Sequence, residues 1–116
     1  TLIDSIGKKV HVASEVAKAI GLTNVRCIQE RAEDEKGLFD FVISRAVMPM
    51  PDLVKLVRKN VSKKHNNAMP NGLMVLKGGK LEGELHEFKK YVEQTPITDF
   101  FKDEWYKEKY VIYLPL

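Results

Sequence analysis

The chain has 116 residues, a net charge of +3 and a hydrophobic content of 44%, values that are typical of a globular domain and exclude wholesale disorder. The mild positive charge permits an anionic partner without demanding one. No apolar run is long enough to cross a bilayer, so we expect no membrane partner. Cys27 is the single cysteine, which excludes an internal disulfide and fits a reducing, cytoplasmic location.

The first part of the chain reads as a strand, a helix and a second strand. The apolar run Leu2 to Asp4 predicts a short buried strand, and Val25 to Gln29 predicts another. Gly21 stands where a helix would stop. The helix before it is predicted from apolar residues at helical spacing, namely Val10, Ala13, Ala17 and Ile20.

The clearest strand signal is the run Phe39 to Ser44. Its apolar residues are nearly continuous, which is typical of a strand covered on both faces. Pro51 suits the first turn of a following helix, and that helix is predicted from the apolar stripe Leu53, Val54, Val57 and Val61.

The remainder predicts a loop, a strand, a helix and a hairpin. Residues 62–71 read as a polar loop, and the turn signal Asn71-Gly72 precedes a strand from Leu73 to Leu76 that ends at Gly78-Gly79. A helix that stops at Pro96 is predicted from Leu81, Leu85, Phe88 and Val92. Two strands then complete the chain, an antiparallel hairpin formed by Ile97–Phe101 and Tyr110–Leu114.

This alternation of strands and helices predicts an α/β fold with a mostly parallel sheet and a C-terminal antiparallel hairpin. In parallel sheets, ligands bind in the crevice outside the carboxyl ends of the strands. Polar residues stand at the ends of the predicted strands, so we expect a binding site along a single rim of the sheet, with the side chains Asp4, Glu33, Arg45 and Lys77.

Two acidic positions follow predicted strands. Asp4 could accept hydrogen bonds from both hydroxyls of a ribose, or it could cap the following helix. The segment Ala32-Glu33-Asp34 could read the edge of an adenine through a backbone amide and a carboxylate, or it could be a solvated acidic turn.

Basic residues raise a second set of alternatives. Arg45 directly follows the strand Phe39–Ser44, and burying it there would need a carboxylate or phosphate partner. Lys77 stands before glycines that would let a ligand approach the backbone closely. One basic stretch comprises Lys55, Arg58, Lys59, Lys63, Lys64 and His65. It is either a solvated helix face or, if its members share one surface, a nucleic-acid contact. The histidines lack metal-ligand spacing, so we expect no metal site.

Four motifs occur in a fixed order along the chain. They are Leu2-Ile3-Asp4-Ser5-Ile6-Gly7-Lys8-Lys9, Glu30-Arg31-Ala32-Glu33, Val42-Ile43-Ser44-Arg45-Ala46-Val47 and Leu76-Lys77-Gly78. From Leu2 to about Gly79 the chain closely resembles the bacterial small-subunit ribosomal RNA methyltransferase G family, also called glucose-inhibited division protein B.

The resemblance implies a Rossmann-like S-adenosylmethionine-dependent methyltransferase that methylates N7 of one guanine in 16S ribosomal RNA. It implies that Asp4, Ser5 and Ile6 flank the ribose of S-adenosylmethionine, and that Ala32 and Glu33 lie by its adenine. Arg45 would lie near the methionine end of the cofactor or near the target, and act with Lys77 in catalysis. Arg31 and Lys77 match basic positions that the family uses for the RNA or for the active site.

The resemblance also implies that an upstream portion, with the first strand and a glycine-rich loop, is absent. Thr1 is not a start methionine, and Leu2 already lies in a strand-like run. We therefore expect residues 1–116 to be a partial methyltransferase domain, truncated at the N-terminus and inactive on its own. Unpaired strands would favour self-association through their edges. Against an enzyme that acts on the small ribosomal subunit stand two alternatives. One is a non-catalytic, methyltransferase-like module that binds RNA or a partner, and the other is a related methyltransferase with another small substrate.

Overall fold

A computed structural model describes residues 1–45 and 48–116 of the chain. These residues form two units, Thr1–Lys36 and Gly37–Leu116, called unit 1 and unit 2 below. Ala46 and Val47, which belong to one of the four motifs, lie outside the described residues. Within the described ranges, no helix combines the length and the apolar character that a membrane span requires.

Unit 1 is built from two parallel strands and the helix that connects them. Strand β1 spans Leu2–Asp4, helix α1 spans Gly7–Ala19, and strand β2 spans Cys27–Gln29. β1 pairs with β2 so that Asp4 lies opposite Gln29. The prediction of these three elements is confirmed, although β2 is two residues shorter at its start than the sequence indicated.

Helix α1 ends where the sequence predicted, but its buried stripe is narrower. Gly21 adopts a φ of +78°, and the N–H of Leu22 donates to the carbonyl of Ala17 at 2.9 Å, as expected for a left-handed helix stop. Ala17 is buried, whereas Ile20 is 66% exposed. The prediction that Ile20 shares the buried stripe is wrong, because the helix ends at Ala19 and the chain turns away.

Unit 2 contains a mixed sheet with the strand order β3-β4-β6-β5 among the described residues. β3 and β4 are parallel, whereas β6 is antiparallel to both β4 and β5. The predicted α/β class is confirmed, but the sheet is mixed and not mostly parallel. The elements of unit 2 are β3 Phe41–Arg45, α2 Met50–Val57, β4 Gly72–Gly78, α3 Glu82–Leu85, β5 Glu93–Pro96 and β6 Lys109–Pro115.

The core of unit 2 lies between one face of this sheet and the helices α2 and α3. Pro51 stands in the first turn of α2, and the predicted stripe of this helix is buried, as is Val61 beyond it. Each fully buried aliphatic side chain contributes about 1.5–3 kcal/mol through removal from water. The core includes Met50, Leu53, Val54, Val57, Leu73, Val75, Leu81, Leu85, Ile112 and Leu114.

The opposite face of the same sheet is uncovered near β3, although Tyr113 of β6 is buried on that face. Ile43 on β3 is 74% exposed and Leu76 on β4 is 43% exposed. The prediction that the strand Phe39–Ser44 is covered on both faces is therefore wrong for unit 2. A nearly continuous apolar run identified the strand correctly, but it could not show which face packs against helices.

The C-terminal part differs from its prediction in two places. α3 is a single turn followed by a 3-10 turn at His86–Phe88, so the predicted third helix is shorter than expected. The first hairpin strand is β5, Glu93–Pro96, and the predicted strand Ile97–Phe101 is wrong because Ile97–Asp99 forms a 3-10 turn. Pro96 ends an edge strand, where its missing N–H is tolerated, and it does not stop a helix.

Candidate functional site

Asp4 orders the turn that connects β1 to α1. Its Oδ1 accepts a hydrogen bond from the main-chain N–H of Ile6 at 2.8 Å, and Ile6 directly precedes α1. In the described part of the chain, no side chain caps the first turn of α1, so Asp4 is not a helix cap in the strict sense. Asp4 is half-buried, whereas Ser5 and Ile6 are exposed. The carboxylate is therefore held at the carboxyl end of a parallel strand.

Gln29 is a polar residue at this end of the sheet to which the sequence analysis gave no role. It ends β2 opposite Asp4, and its Nε2 donates to the carbonyl of Ser5 at 3.3 Å. A Cβ on Gly7 would come within 2.9 Å of Gln29 Oε1, so a glycine at the start of α1 lets this side chain lie close. The ends of β1 and β2 are thus joined by polar contacts. Gln29 could have been found from the sequence, because it is a polar residue at the end of a predicted strand.

Arg31 and Glu33 were predicted to serve separate ligands, but they bind each other. Arg31 Nε lies 2.9 Å from Glu33 Oε2, and both side chains are more than half exposed. The hydrogen bond to Glu33 raises the pKa of Arg31 above its ordinary value. Ala32 between them is half-buried and opens a short 3-10 turn. Exposed ion pairs contribute little to stability, so a ligand could separate this pair at small cost.

Glu30 carries a carboxyl group with a perturbed pKa, and no role was predicted for it from the sequence. A hydrogen bond to the Glu35 side chain is the main cause that raises the pKa of Glu30, followed by burial and by the negative charge of Glu35. Arg26 opposes the shift. Glu30 Oε1 is buried and lacks a hydrogen-bond partner among the described residues. Two glutamates five positions apart gave no sequence signal for this contact.

Arg45 is the last residue of β3 and pairs with Leu76 of β4. Its side chain is exposed, so the expectation that Arg45 is buried and needs an anionic partner is wrong. It forms no ion pair among residues 1–45 and 48–116. An exposed guanidinium at the carboxyl end of a parallel strand remains available to an anionic or planar ligand.

Lys77 lies inside β4. The sequence had predicted that it would follow this strand. Its side chain is 5% exposed, and its Nζ lies 3.0 Å from Glu84 Oε2. The ammonium also donates to the carbonyl of Met48 at 2.9 Å. The same Glu84 oxygen accepts the N–H of Met50, the first residue of α2, at 2.8 Å. Lys77 and Glu84 therefore connect β4, α3 and the start of α2.

Arg45 and Lys77 lie at the same end of the sheet of unit 2 but on opposite faces. Arg45 is level with Leu76 across the parallel pair, so the next residue, Lys77, points to the other side because side chains alternate along a strand. The exposed face carries Arg45, and the helix-covered face carries Lys77. The two cations are therefore not adjacent partners in one site.

The glycines after Lys77 serve contacts within the chain. Gly79 adopts a φ of +79°, and its N–H donates to the carbonyl of Glu108 at 3.0 Å. A Cβ on Gly78 would come within 3.3 Å of the same oxygen. The close approach that these glycines permit is thus made by the main chain before β6.

The described residues hold no group of three or more His, Cys, Asp or Glu side chains placed to bind a metal ion. The expectation of no metal site stays a prediction for the whole chain.

Comparison with known proteins gives a consistent result. A family model described as GidB, rRNA small subunit methyltransferase G, matches residues 1–107. A protein from Bacteroides thetaiotaomicron named Ribosomal RNA small subunit methyltransferase G is 56% identical over 97% of this chain and 54% of its own length. Proteins of the same name from Bacteroides fragilis and Flavobacterium psychrophilum are 54% and 44% identical over 99% of this chain.

These matches put the chain in the class of proteins named as rRNA methyltransferases. It belongs to the GidB family, as its four motifs indicated. The chain spans about half the length of the curated relatives it matches, between 54% and 56% of the first two.

Proposed function

We propose that the parent protein transfers a methyl group from S-adenosylmethionine to N7 of a guanine in 16S ribosomal RNA. Family membership and the names of the relatives support rRNA methylation. The observation that carries the assignment to this chain is the fixed carboxylate of Asp4, which Ile6 orients at the carboxyl end of two parallel strands. Ligands of α/β sheets bind at such ends.

The chain's own residues hold the cofactor and need not move protons. Asp4, with the turn through Ser5 and Ile6, binds the ribose hydroxyls, and Ala32 with Glu33 lies by the adenine. When bound, S-adenosylmethionine would supply a methyl group from its sulfonium: the methyl–sulfur bond would break as the N7 lone pair forms the new bond, and the sulfur would leave as a neutral thioether. No proton leaves N7, so rate enhancement comes mainly from alignment of N7, the methyl carbon and sulfur.

The basic residues divide into contacting and positioning roles. Arg45 is exposed at the strand end, and it contacts the methionine end of the cofactor or guanine O6. Arg31 leaves Glu33 to bind an RNA phosphate, since their exposed pair costs little to break. Lys77 has its ammonium engaged by Met48 and Glu84, which favours a positioning role for it over direct RNA contact.

We further propose that residues 1–116 are inactive without the rest of the parent protein, and that the protein acts in the cytoplasm, where small ribosomal subunits occur. The non-catalytic, RNA-binding module is the competing function. It shares the RNA contacts but lacks methyl transfer.

The test uses the full-length parent protein and small ribosomal subunits that lack the methyl mark. We expect methylation of 16S ribosomal RNA at a guanine N7, mapped by primer extension after chemical cleavage. Calorimetric titration should show S-adenosylmethionine binding that Asp4→Asn weakens and that the exposed control Asp103→Asn leaves unchanged. Subunit binding without methyl transfer or cofactor binding would establish the competing function instead.

A further inference from the structure

A cleft of about 500 Å³ opens in unit 2 beside the start of β4 and the end of β6. Its volume lies in the usual range of ligand sites, about 300–1,000 Å³. Arg58 and His65 line it from the segment after α2, and Phe88 and Tyr91 line it from the segment after α3. The basic stretch identified in the sequence therefore contributes to one shared surface.

This cleft and Arg45 lie at opposite ends of the sheet of unit 2. Asn71 lines the cleft and directly precedes Gly72, which pairs with Phe41 at the start of β3, whereas Arg45 at the end of β3 pairs with Leu76. Four residues of strand separate the two ends, about 13 Å at ~3.3 Å per residue. A ligand in the cleft would be a different group from the one that receives the methyl.

Basic residues are frequent in the segments that line the cleft. Residues 55–65 contain five lysines and arginines and no aspartate or glutamate, and Lys89 and Lys90 directly precede Tyr91. Lys63 Nζ donates to the main-chain oxygen of Leu116 at 3.3 Å, and Leu116 lines the cleft. Glu87 and the terminal residue Leu116 bring negative charge to the lining, whereas residues 55–65 and 89–91 together contain seven lysines and arginines. The excess of basic residues in these segments favours an anionic ligand.

The end of the basic stretch, residues 62–65, is held in place by Asn71, which is fully buried. Asn71 Nδ2 donates to the carbonyls of Ser62 and Lys64, both at 3.0 Å. The main-chain N–H of Asn71 donates to His65 Nδ1 at 2.9 Å. In the neutral ring the proton then sits on Nε2, which is left as a donor. The loop is thus pre-organised, which lowers the entropic cost of binding.

Tyr91 provides an aromatic surface in this basic setting. It is 68% exposed, although most large apolar side chains of the neighbouring core are buried. Single-stranded RNA is recognised by stacking of unpaired bases on aromatic rings, with nearby cations on the phosphates. Tyr91 and Arg58 line the same cleft and supply both kinds of group.

We propose that this cleft binds an unpaired nucleotide of the ribosomal RNA at a position distinct from the methylated guanine. The base stacks on Tyr91, Arg58 pairs with a phosphate, and His65 Nε2 donates to the nucleotide. The inference rests on the proposed rRNA substrate and adds a second contact that secures the RNA without taking part in methyl transfer.

The test compares variants of the full-length parent protein in methylation and in binding of both intact subunits and protein-free 16S ribosomal RNA. We expect Tyr91→Leu to weaken RNA binding and to raise KM about ten-fold with kcat unchanged, in line with the loss of one base stack. Tyr91→Phe keeps the ring and should behave like the wild type. Arg58→Gln should weaken binding and reduce the salt dependence of log K by about one phosphate contact.

Lys107→Gln is the matched control, since it removes one exposed positive charge outside the cleft. Equal losses for Lys107→Gln and Arg58→Gln would overturn the proposal in favour of a diffuse charge effect, and so would wild-type RNA binding by both Tyr91→Leu and Arg58→Gln. Losses with intact subunits and none with protein-free RNA would overturn it in favour of a ribosomal-protein contact.

The proposed function and the cleft can fail independently. If the wild type binds RNA but methylates nothing, the proposed function fails, and the binding data on Tyr91→Leu still decide the cleft. S-adenosylmethionine binding by calorimetry should be the same for all four variants. A variant that loses it is misfolded, and Tyr91→Leu and Arg58→Gln test the cleft independently of each other.

Discussion

Glu84 uses one carboxylate oxygen for two partners, the ammonium of Lys77 at 3.0 Å and the main-chain N–H of Met50 at 2.8 Å. Lys77 lies in β4, Glu84 in α3 and Met50 at the start of α2. A negative charge at the N-terminus of α2 is also favourable to the helix dipole. This contact fixes the chain shortly after Arg45, the residue that we place in the methyl-transfer site.

Removal of this carboxylate should destabilise unit 2. Glu84→Ala leaves a buried ammonium and the Met50 N–H without their partner, so we expect the free energy of unfolding to fall by about 2–3 kcal/mol. Glu84→Gln should lose less, since its amide oxygen still accepts the bond from Met50. Urea denaturation of the parent protein measures both, with the exposed neighbour Glu82→Ala as the control. A Glu84→Ala variant as stable as Glu82→Ala would contradict the structure.

Gly72 and Gly83 should respond in opposite ways to the same substitution. A Cβ on Gly72 would collide with the main-chain oxygen of Leu114, whereas nothing lies near a Cβ on Gly83 in α3. Gly72→Ala should therefore separate β4 from β6 and cost roughly 3 kcal/mol or more, as overpacking does. Gly83→Ala should stabilise by about 0.5–1 kcal/mol through helix propensity. Thermal unfolding checks the pair, and similar melting temperatures would count against the register of β4 and β6.

Glu30 should make stability depend on pH. Its pKa in the folded chain is raised above the ordinary 4.5, so the folded state holds this proton more tightly than the unfolded state. The contribution of Glu30 to stability is therefore greatest below its ordinary pKa, and it is lost as the pH rises through the raised pKa of the folded state. Glu30→Gln removes this loss, so its stability relative to wild type should increase from pH 4 to pH 7. Melting temperatures over that range measure it, and a constant difference would refute the Glu30–Glu35 contact.

The 116-residue chain should self-associate through β3. This strand lies at one edge of the sheet of unit 2 and carries the exposed Ile43, a combination that favours strand pairing between molecules. Sedimentation velocity should show association that grows with concentration, and Ile43→Lys should reduce it. Lys80→Glu, on an exposed residue outside the strands, serves as the control. A monomer at all concentrations would remove this expectation.

The sequence predicted the helices and strands better than it predicted which of their faces and edges are paired or buried. Helical spacing identified the buried stripe of α2 because a single helix face packs on the sheet. The segment Ile97–Phe101 was predicted as a strand, but Ile97–Asp99 forms a 3-10 turn, while the polar Glu93 and Gln94 pair with β6. Propensity cannot identify such an edge strand, because its pairing depends on a partner far along the chain.

The candidate site was predicted from polar residues at the ends of strands. This reasoning located some of the strand ends, but it did not identify the partners of the side chains. Asp4 and Arg45 do end strands. The partner of Lys77 is Glu84, and the carbonyl that fills the space beside Gly79 comes from Glu108. Neither could be inferred, because these contacts join distant segments without a sequence pattern. The four sequence motifs were sufficient to predict the family.

The burial of Asn71 also bears on the chemical ageing of this protein. Asn-Gly pairs deamidate readily when the glycine nitrogen can attack the side-chain amide to form a succinimide. Here the Gly72 N–H is bonded to the carbonyl of Asp40 at 3.2 Å, and the Asn71 amide is bonded to two main-chain oxygens. The folded chain is therefore protected at this pair, and deamidation at Asn71 becomes a chemical clock for the time a molecule has spent unfolded.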